Sequence, residues 1–153
     1  MWLPPASNVD GIAGIVDVCL ALPQDQLREA SEAVAMWDKA LHQWNRIVAH
    51  RGANPPCDIT VREVTTPNRT PGALAWVNGI GGNQVSMYKG HYEQDTKGIL
   101  LHELGHAFGA QHVPGTLMHP EWSPGSFVCP DHTTVAQVAA RYQIDLSILT
   151  WCW

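Results

Sequence analysis

Three histidines and a glutamate in one short run carry the chemistry that this sequence can do. The run is His102-Glu103-Leu104-Gly105-His106-Ala107-Phe108-Gly109-Ala110-Gln111-His112, followed by Val113-Pro114-Gly115-Thr116-Leu117-Met118. Residues four apart on a helix share a face and lie about 6 Å apart along the axis, so His102 and His106 can offer two imidazoles to one metal ion. Glu103 then stands beside them, not opposite. Gly109 lacks a Cβ and can take the left-handed conformation that ends a helix and turns the chain, which can return His112 as a third ligand. Three neutral imidazoles around Zn²⁺ leave the fourth tetrahedral position for water, the arrangement of a catalytic zinc. Such a site lowers the pKa of the water to about 7 and polarises a carbonyl. Glu103 is the expected general base, taking a proton from the water and delivering it to the leaving amine of a peptide. A degenerate or purely structural site is the competing reading. Two histidines four apart would leave the two readings balanced, whereas Gly109, His112 and Met118 at their further offsets favour catalysis.

The stretch from His102 to His112, with Met118, resembles the metzincin clan of zinc endopeptidases, whose motif H-E-x-x-H-x-x-G-x-x-H is followed by a methionine-containing turn beneath the metal. Within the clan, Leu117-Met118-His119-Pro120 is most similar to the matrixins. The resemblance implies an α/β (α+β) zincin domain of the metzincin type: a twisted, mostly parallel mixed sheet, a long backing helix, the active-site helix, the Met-turn and a C-terminal helix. It implies one metalloprotease catalytic domain over residues 1–153, with an upper part over about 12–109 and a lower part over about 110–153. It further implies a protein or peptide substrate bound in extended conformation, held by backbone groups of Ala73, Leu74 and Ala75 on an edge strand. Pro120 and Trp122 would wall the pocket for the side chain after the scissile bond. Met118 is expected to pack under the ligand histidines and not to bind the ion, a thioether being a soft partner for zinc.

Departures from the family pattern bound these implications. Pro120 stands where astacins and serralysins place a tyrosine ligand, and Val113 where matrixins usually have serine. Gly79-Ile80-Gly81-Gly82 resembles the matrixin glycine loop, but Asn83-Gln84-Val85-Ser86-Met87-Tyr88 follows in place of the aspartates and histidine that hold calcium and a second zinc there. One zinc ion, no structural zinc and at most weak calcium binding are therefore expected. Two other functions remain in view: a zinc-dependent cell-wall peptide hydrolase, and a metal-stabilised binding or structural protein, for instance of a virus particle.

The elements that must position the motif are legible in the periodicity. Ile12 to Leu22, with Val16, Val18 and Leu20 alternating, reads as a strand. Leu27, Ala30, Val34, Trp37, Leu41, Trp44 and Val48 form an apolar stripe that predicts a helix from about Gln24 to Ala49. Strands are predicted over Cys57–Val64 and Gly72–Asn78. Asp95 or Thr96 can cap the active-site helix, with Ile99, Leu100, Leu104, Ala107 and Phe108 on its buried side. Asp131 precedes a last helix over Thr133–Tyr142. The tail from Gln143 is rich in apolar residues, so Ile144, Leu146, Ile148, Trp151 and Trp153 are expected to pack onto the domain.

Composition excludes several classes. With 9 basic and 14 acidic residues in 153 the net charge is −5, without a basic run, which argues against nucleic acid as a partner. No apolar stretch is long enough to span a membrane, and a monomer is expected. The start Met1-Trp2-Leu3-Pro4-Pro5 shows no signal-peptide pattern, although an extracellular or virion-associated setting is favoured. Cys19, Cys57, Cys129 and Cys152 allow three pairings. If they oxidise, Cys129 with Cys152 would tie down the chain end and Cys19 with Cys57 would join neighbouring strands; four buried free thiols are the alternative. Asn68-Arg69-Thr70 is a formal glycosylation sequon. His119 is expected to be exposed to solvent, and His42, His50, His91 and His132 to be structural or exposed.

Overall fold

The computed structural model describes residues 14–54 and 56–153; the lead over 1–10 and the expected strand start at Ile12 lie outside them. The first strand, β1 (Gly14–Ala21), runs through Val16, Val18, Cys19 and Leu20, all buried, as suits a strand covered on both faces. Helix α1 (Leu27–Leu41) follows, and its buried stripe of Ala30, Val34, Trp37 and Leu41 packs on the sheet and on the later helix that carries His102 and His106. Strands β2 (Asn45–Arg51), β3 (Ile59–Val64), β4 (Ala75–Val77) and β5 (Gln84–Tyr88) complete one sheet in the order β2-β1-β3-β5-β4. All neighbours are parallel except β4, which lies antiparallel to β5 at the edge. The architecture is mixed α/β, with a five-stranded mixed sheet and three α-helices among the described residues.

The long helix is shorter than the stripe predicts. It ends at Leu41, Trp44 sits in a turn closed by its N–H on the Leu41 carbonyl at 2.8 Å, and Val48 belongs to β2. Ile47-Val48 are β-branched and fall in a strand that pairs with β1 over its whole length, from Gly14 opposite Asn45 to Leu20 opposite Arg51. Asp38 secures the switch by accepting from the Ile47 N–H at 2.8 Å and from the Arg46 guanidinium. Trp44 keeps its apolar contact by another route, stacking on Tyr142 with centroids 5.1 Å apart.

Helix α2 (Thr96–Ala107) is buried almost all round, packed against α1, β4 and β5. Asp95 caps it by accepting from the Gly98 N–H at 3.1 Å, and Trp37 Nε1 donates to the Leu101 carbonyl at 3.0 Å. Helix α3 (His132–Tyr142), capped by Asp131, buries Val135, Val138 and Ala139. Two disulfides join Cys19 to Cys57 and Cys129 to Cys152, with Cα atoms 5.5 and 6.3 Å apart. The second holds the tail, which also pairs Thr150 N–H with the Ala40 carbonyl, Cys152 N–H with that of Pro130, and His132 N–H with that of Trp153. Ile144 and Leu146 pack on the core as expected, and Leu149 is buried. Ile148, Trp151 and Trp153 stay more exposed, keeping 41%, 41% and 61% of their surface, although Trp151 meets the His132 ring edge-on. The tail is held by backbone bonds and a disulfide more than by its largest apolar side chains.

Candidate metal centre and cleft

The end of α2 is built to turn. Gly109 adopts φ +100°, its N–H and that of Ala110 bond back to the carbonyls of His106 and Gly105, and the Arg141 side chain lies where a Cβ would sit. The chain returns and brings His112 to the other two histidines, so that one ligand nitrogen from each falls within 4.8 Å of the others. Among the described residues, this is the one converging group of three or more potential ligands.

The hydrogen bonds fix which nitrogens converge. His102 Nδ1 lies 2.8 Å from the Leu117 carbonyl and His106 Nδ1 2.8 Å from the Ala110 carbonyl. A carbonyl only accepts, so each Nδ1 carries the hydrogen and each Nε2 presents a lone pair. His106 Nε2 and His112 Nε2 are 3.1 Å apart, near the edge of about 3.3 Å for a tetrahedron of nitrogens around zinc. Without a cation that contact is a hydrogen bond, His112 Nε2–H donating to the His106 Nε2 lone pair; a cation between the rings can take a lone pair from each. The three-nitrogen set suits zinc, and the His106–His112 pair already stands near ligand spacing.

Electrostatics agree. Burial pulls His102 down to about 3, its hydrogen bond to Leu117 opposing and His106, His112 and His119 adding to the drop. Burial also lowers His106, with a further push from His112, and lowers His112, with one from His119. All three rings are thus ready as neutral ligands. Burial alone pushes the Glu103 carboxyl up to about 8. In the absence of a cation it holds its proton at neutral pH.

Met118 is fully buried, and a Cβ on Gly105 would stand 2.5 Å from its sulfur. The methionine thus packs against the helix between the two histidines, which explains the glycine there. Its neighbour Leu117 does two jobs: its carbonyl orients His102, and its N–H donates to Asp131 Oδ1 at 2.8 Å. Asp131, whose capping role is visible in sequence, is therefore also a buried link between α3 and the histidine cluster. Phe127, which carries no sequence signal, stacks on His102 with centroids 4.3 Å apart.

A cleft of about 800 Å³ opens over the site, and Ala73, Leu74, Ala75, Pro120 and Trp122 line it together with His102, Glu103, His106 and His112. Trp122 Nε1 donates to Asp95 Oδ2 at 3.0 Å, pinning that wall to the start of α2. One expectation needs correction. Tyr88 N–H donates to the Leu74 carbonyl at 3.0 Å and Asn78 N–H to that of Gln84 at 3.1 Å. Bonding alternates along an antiparallel strand, so the Leu74 carbonyl is spent on β5, and the backbone groups of Ala75 and Val77 turn to the open edge.

Gly81, in the glycine loop, donates its N–H to the His106 carbonyl at 2.8 Å. His119 differs from expectation: it is half-buried, and its Nδ1 accepts from the Gly115 N–H at 3.0 Å. The remaining histidines lie apart from the cleft. His50 pairs with Asp17 at 2.5 Å, His91 stacks on Tyr88, His132 meets Trp151 edge-on, and His42 is exposed. No helix among the described residues is long and apolar enough to cross a membrane. Compared with known proteins, the sequence matches no protein-family model and no curated protein.

Proposed function

We propose that this chain is a zinc-dependent endopeptidase of the metzincin type, most similar to the matrixins, that hydrolyses internal peptide bonds with Glu103 as general base. The observation that carries this reading is the convergence of three neutral imidazoles beside a buried carboxyl, on a cleft flanked by an open sheet edge. Zinc, when bound, supplies a water of lowered pKa and a Lewis acid for the scissile carbonyl. The residues of the chain do the rest. Beside a dication the Glu103 carboxyl ionises, because an opposite charge favours the charged form. Its carboxylate then takes a proton from the water and hands it to the nitrogen of the leaving amine. Phe127 and Met118 pack against the helix and its ligands and support their orientation. The open backbone groups of Ala75 and Val77 receive an extended peptide as an added strand, while Leu74, Pro120 and Trp122 give the cleft apolar walls. The two disulfides support an oxidising setting, outside the cell or on a virus particle.

The decisive variant is Glu103→Gln. Retention of one zinc per chain and of thermal stability, with peptide turnover lost, is the expected result. Unchanged function in that variant would instead favour a metal-stabilised binding protein. Turnover confined to cell-wall peptides would favour the narrower hydrolase.

A further inference from the structure

Of the three ligand histidines, His112 is the least secured. His102 and His106 project from a helix, and each has its Nδ1 on a carbonyl. His112 lies beyond the helix in irregular chain, is exposed, and shows no carbonyl partner for its Nδ1 among the described residues. Its direction therefore depends on how the backbone on either side is fixed. After it, Val113 N–H donates to the Met118 carbonyl at 2.9 Å and closes the loop locally. Before it stands Gln111, both of whose backbone groups are taken by one side chain from another element. Gln111 N–H donates to Gln137 Oε1 at 3.0 Å, and Gln137 Nε2 donates to the Gln111 carbonyl at 3.1 Å. The carboxamide pairs with Gln111 as a neighbouring strand would. It does so from α3, a helix anchored in the core by Val135, Val138 and Ala139.

We infer that Gln137 is a positioning residue for the third metal ligand, its carboxamide holding the Gln111 backbone so that His112 stays within ligating distance of His102 and His106. This rests on the metal reading of the three histidines. Gln137 touches neither ion nor substrate. A helix supplies the reference frame because it holds position better than a loop does, and two bonds to one residue fix its orientation as well as its place.

Zinc affinity of the full chain, read by competition with a chromogenic chelator, tests the inference together with the visible absorption of the Co²⁺-loaded protein. Wild type is compared with Gln137→Ala and Gln137→Met. Both replacements favour helix, and methionine keeps the length of glutamine without its bonds. The expected result is a loss of zinc affinity of about 10-fold in both variants, the low end of what removing a hydrogen-bond partner of a ligand itself costs, since Gln137 acts one residue away. An altered Co²⁺ spectrum should accompany it, with the thermal midpoint of the metal-free protein unchanged. Wild-type affinity and spectrum in both variants overturns the inference. So does methionine restoring what alanine loses, since the effect would then be packing. If alanine does not fold, the methionine variant decides alone. Failure of the wild type to bind zinc removes the metal reading and this inference with it, whereas variants equal to a zinc-binding wild type remove only the role of Gln137.

Discussion

Glu103 and Gly105 show how much rests on single residues. Replacing Glu103 by glutamine keeps the shape and removes the base, so turnover should fall by about 10² to 10⁴-fold, with zinc content by metal analysis unchanged. Gly105→Ala ought to help by propensity alone, since alanine in a helix interior is favoured over glycine by about 1 kcal/mol. Here the added methyl would meet the Met118 sulfur at 2.5 Å, with Met118 buried and Trp37 3.5 Å away. Overpacking of that kind costs about 1–3 kcal/mol, so the net change should be destabilising, read as a lower urea midpoint. The convergence of the three histidines was legible because spacing on a helix translates directly into geometry: His102, Glu103 and His106 needed only the period, and His112 only the glycine. Phe127 and Gln137 were not legible, because their contacts cross 25 and 26 positions and depend on where whole elements come to rest.

At the scale of elements, α1 shows what periodicity misses. Trp44 and Val48 keep the helical spacing, yet one stacks in a turn and the other pairs in β2, because apolar contact is available by either route and the ladder along β1 decides. The edge strand β4 was legible as a strand but not in its phase, which only the bonds of Leu74 and Asn78 reveal. The C-terminal tail depends on Cys129–Cys152, which closes a loop over a separation of 23 residues. Replacing both cysteines by serine should cost about 3 kcal/mol, measured by denaturant unfolding. Zinc should remain bound, since no ligand lies in the tail.

For the molecule as a whole, stability without metal should depend on pH in two opposed ways. The folded chain holds a proton on Glu103 up to about pH 8, whereas an ordinary glutamate releases it near 4.5. Stability from this group is complete below about 4.5 and is lost as pH rises toward 8. His102 is drawn from 6.5 down to about 3 in the folded chain, so its contribution is present above 6.5 and lost as pH falls toward 3. His106 and His112 shift in the same direction as His102. The thermal midpoint of the chelated protein should therefore peak near pH 6.5 and decline on both sides. Zinc should remove most of the alkaline decline by letting Glu103 ionise beside a cation. Exposing a library of extended peptides to the zinc-loaded chain, with the products read by mass spectrometry and with a chelator and Glu103→Gln as controls, decides whether the three histidines and Glu103 form a peptidase. Cleavage at internal bonds that the chelator abolishes and that falls at least about 100-fold in Glu103→Gln is expected; intact peptides in the presence of a chain that carries one zinc, or cleavage at an undiminished rate without Glu103, would overturn the peptidase reading.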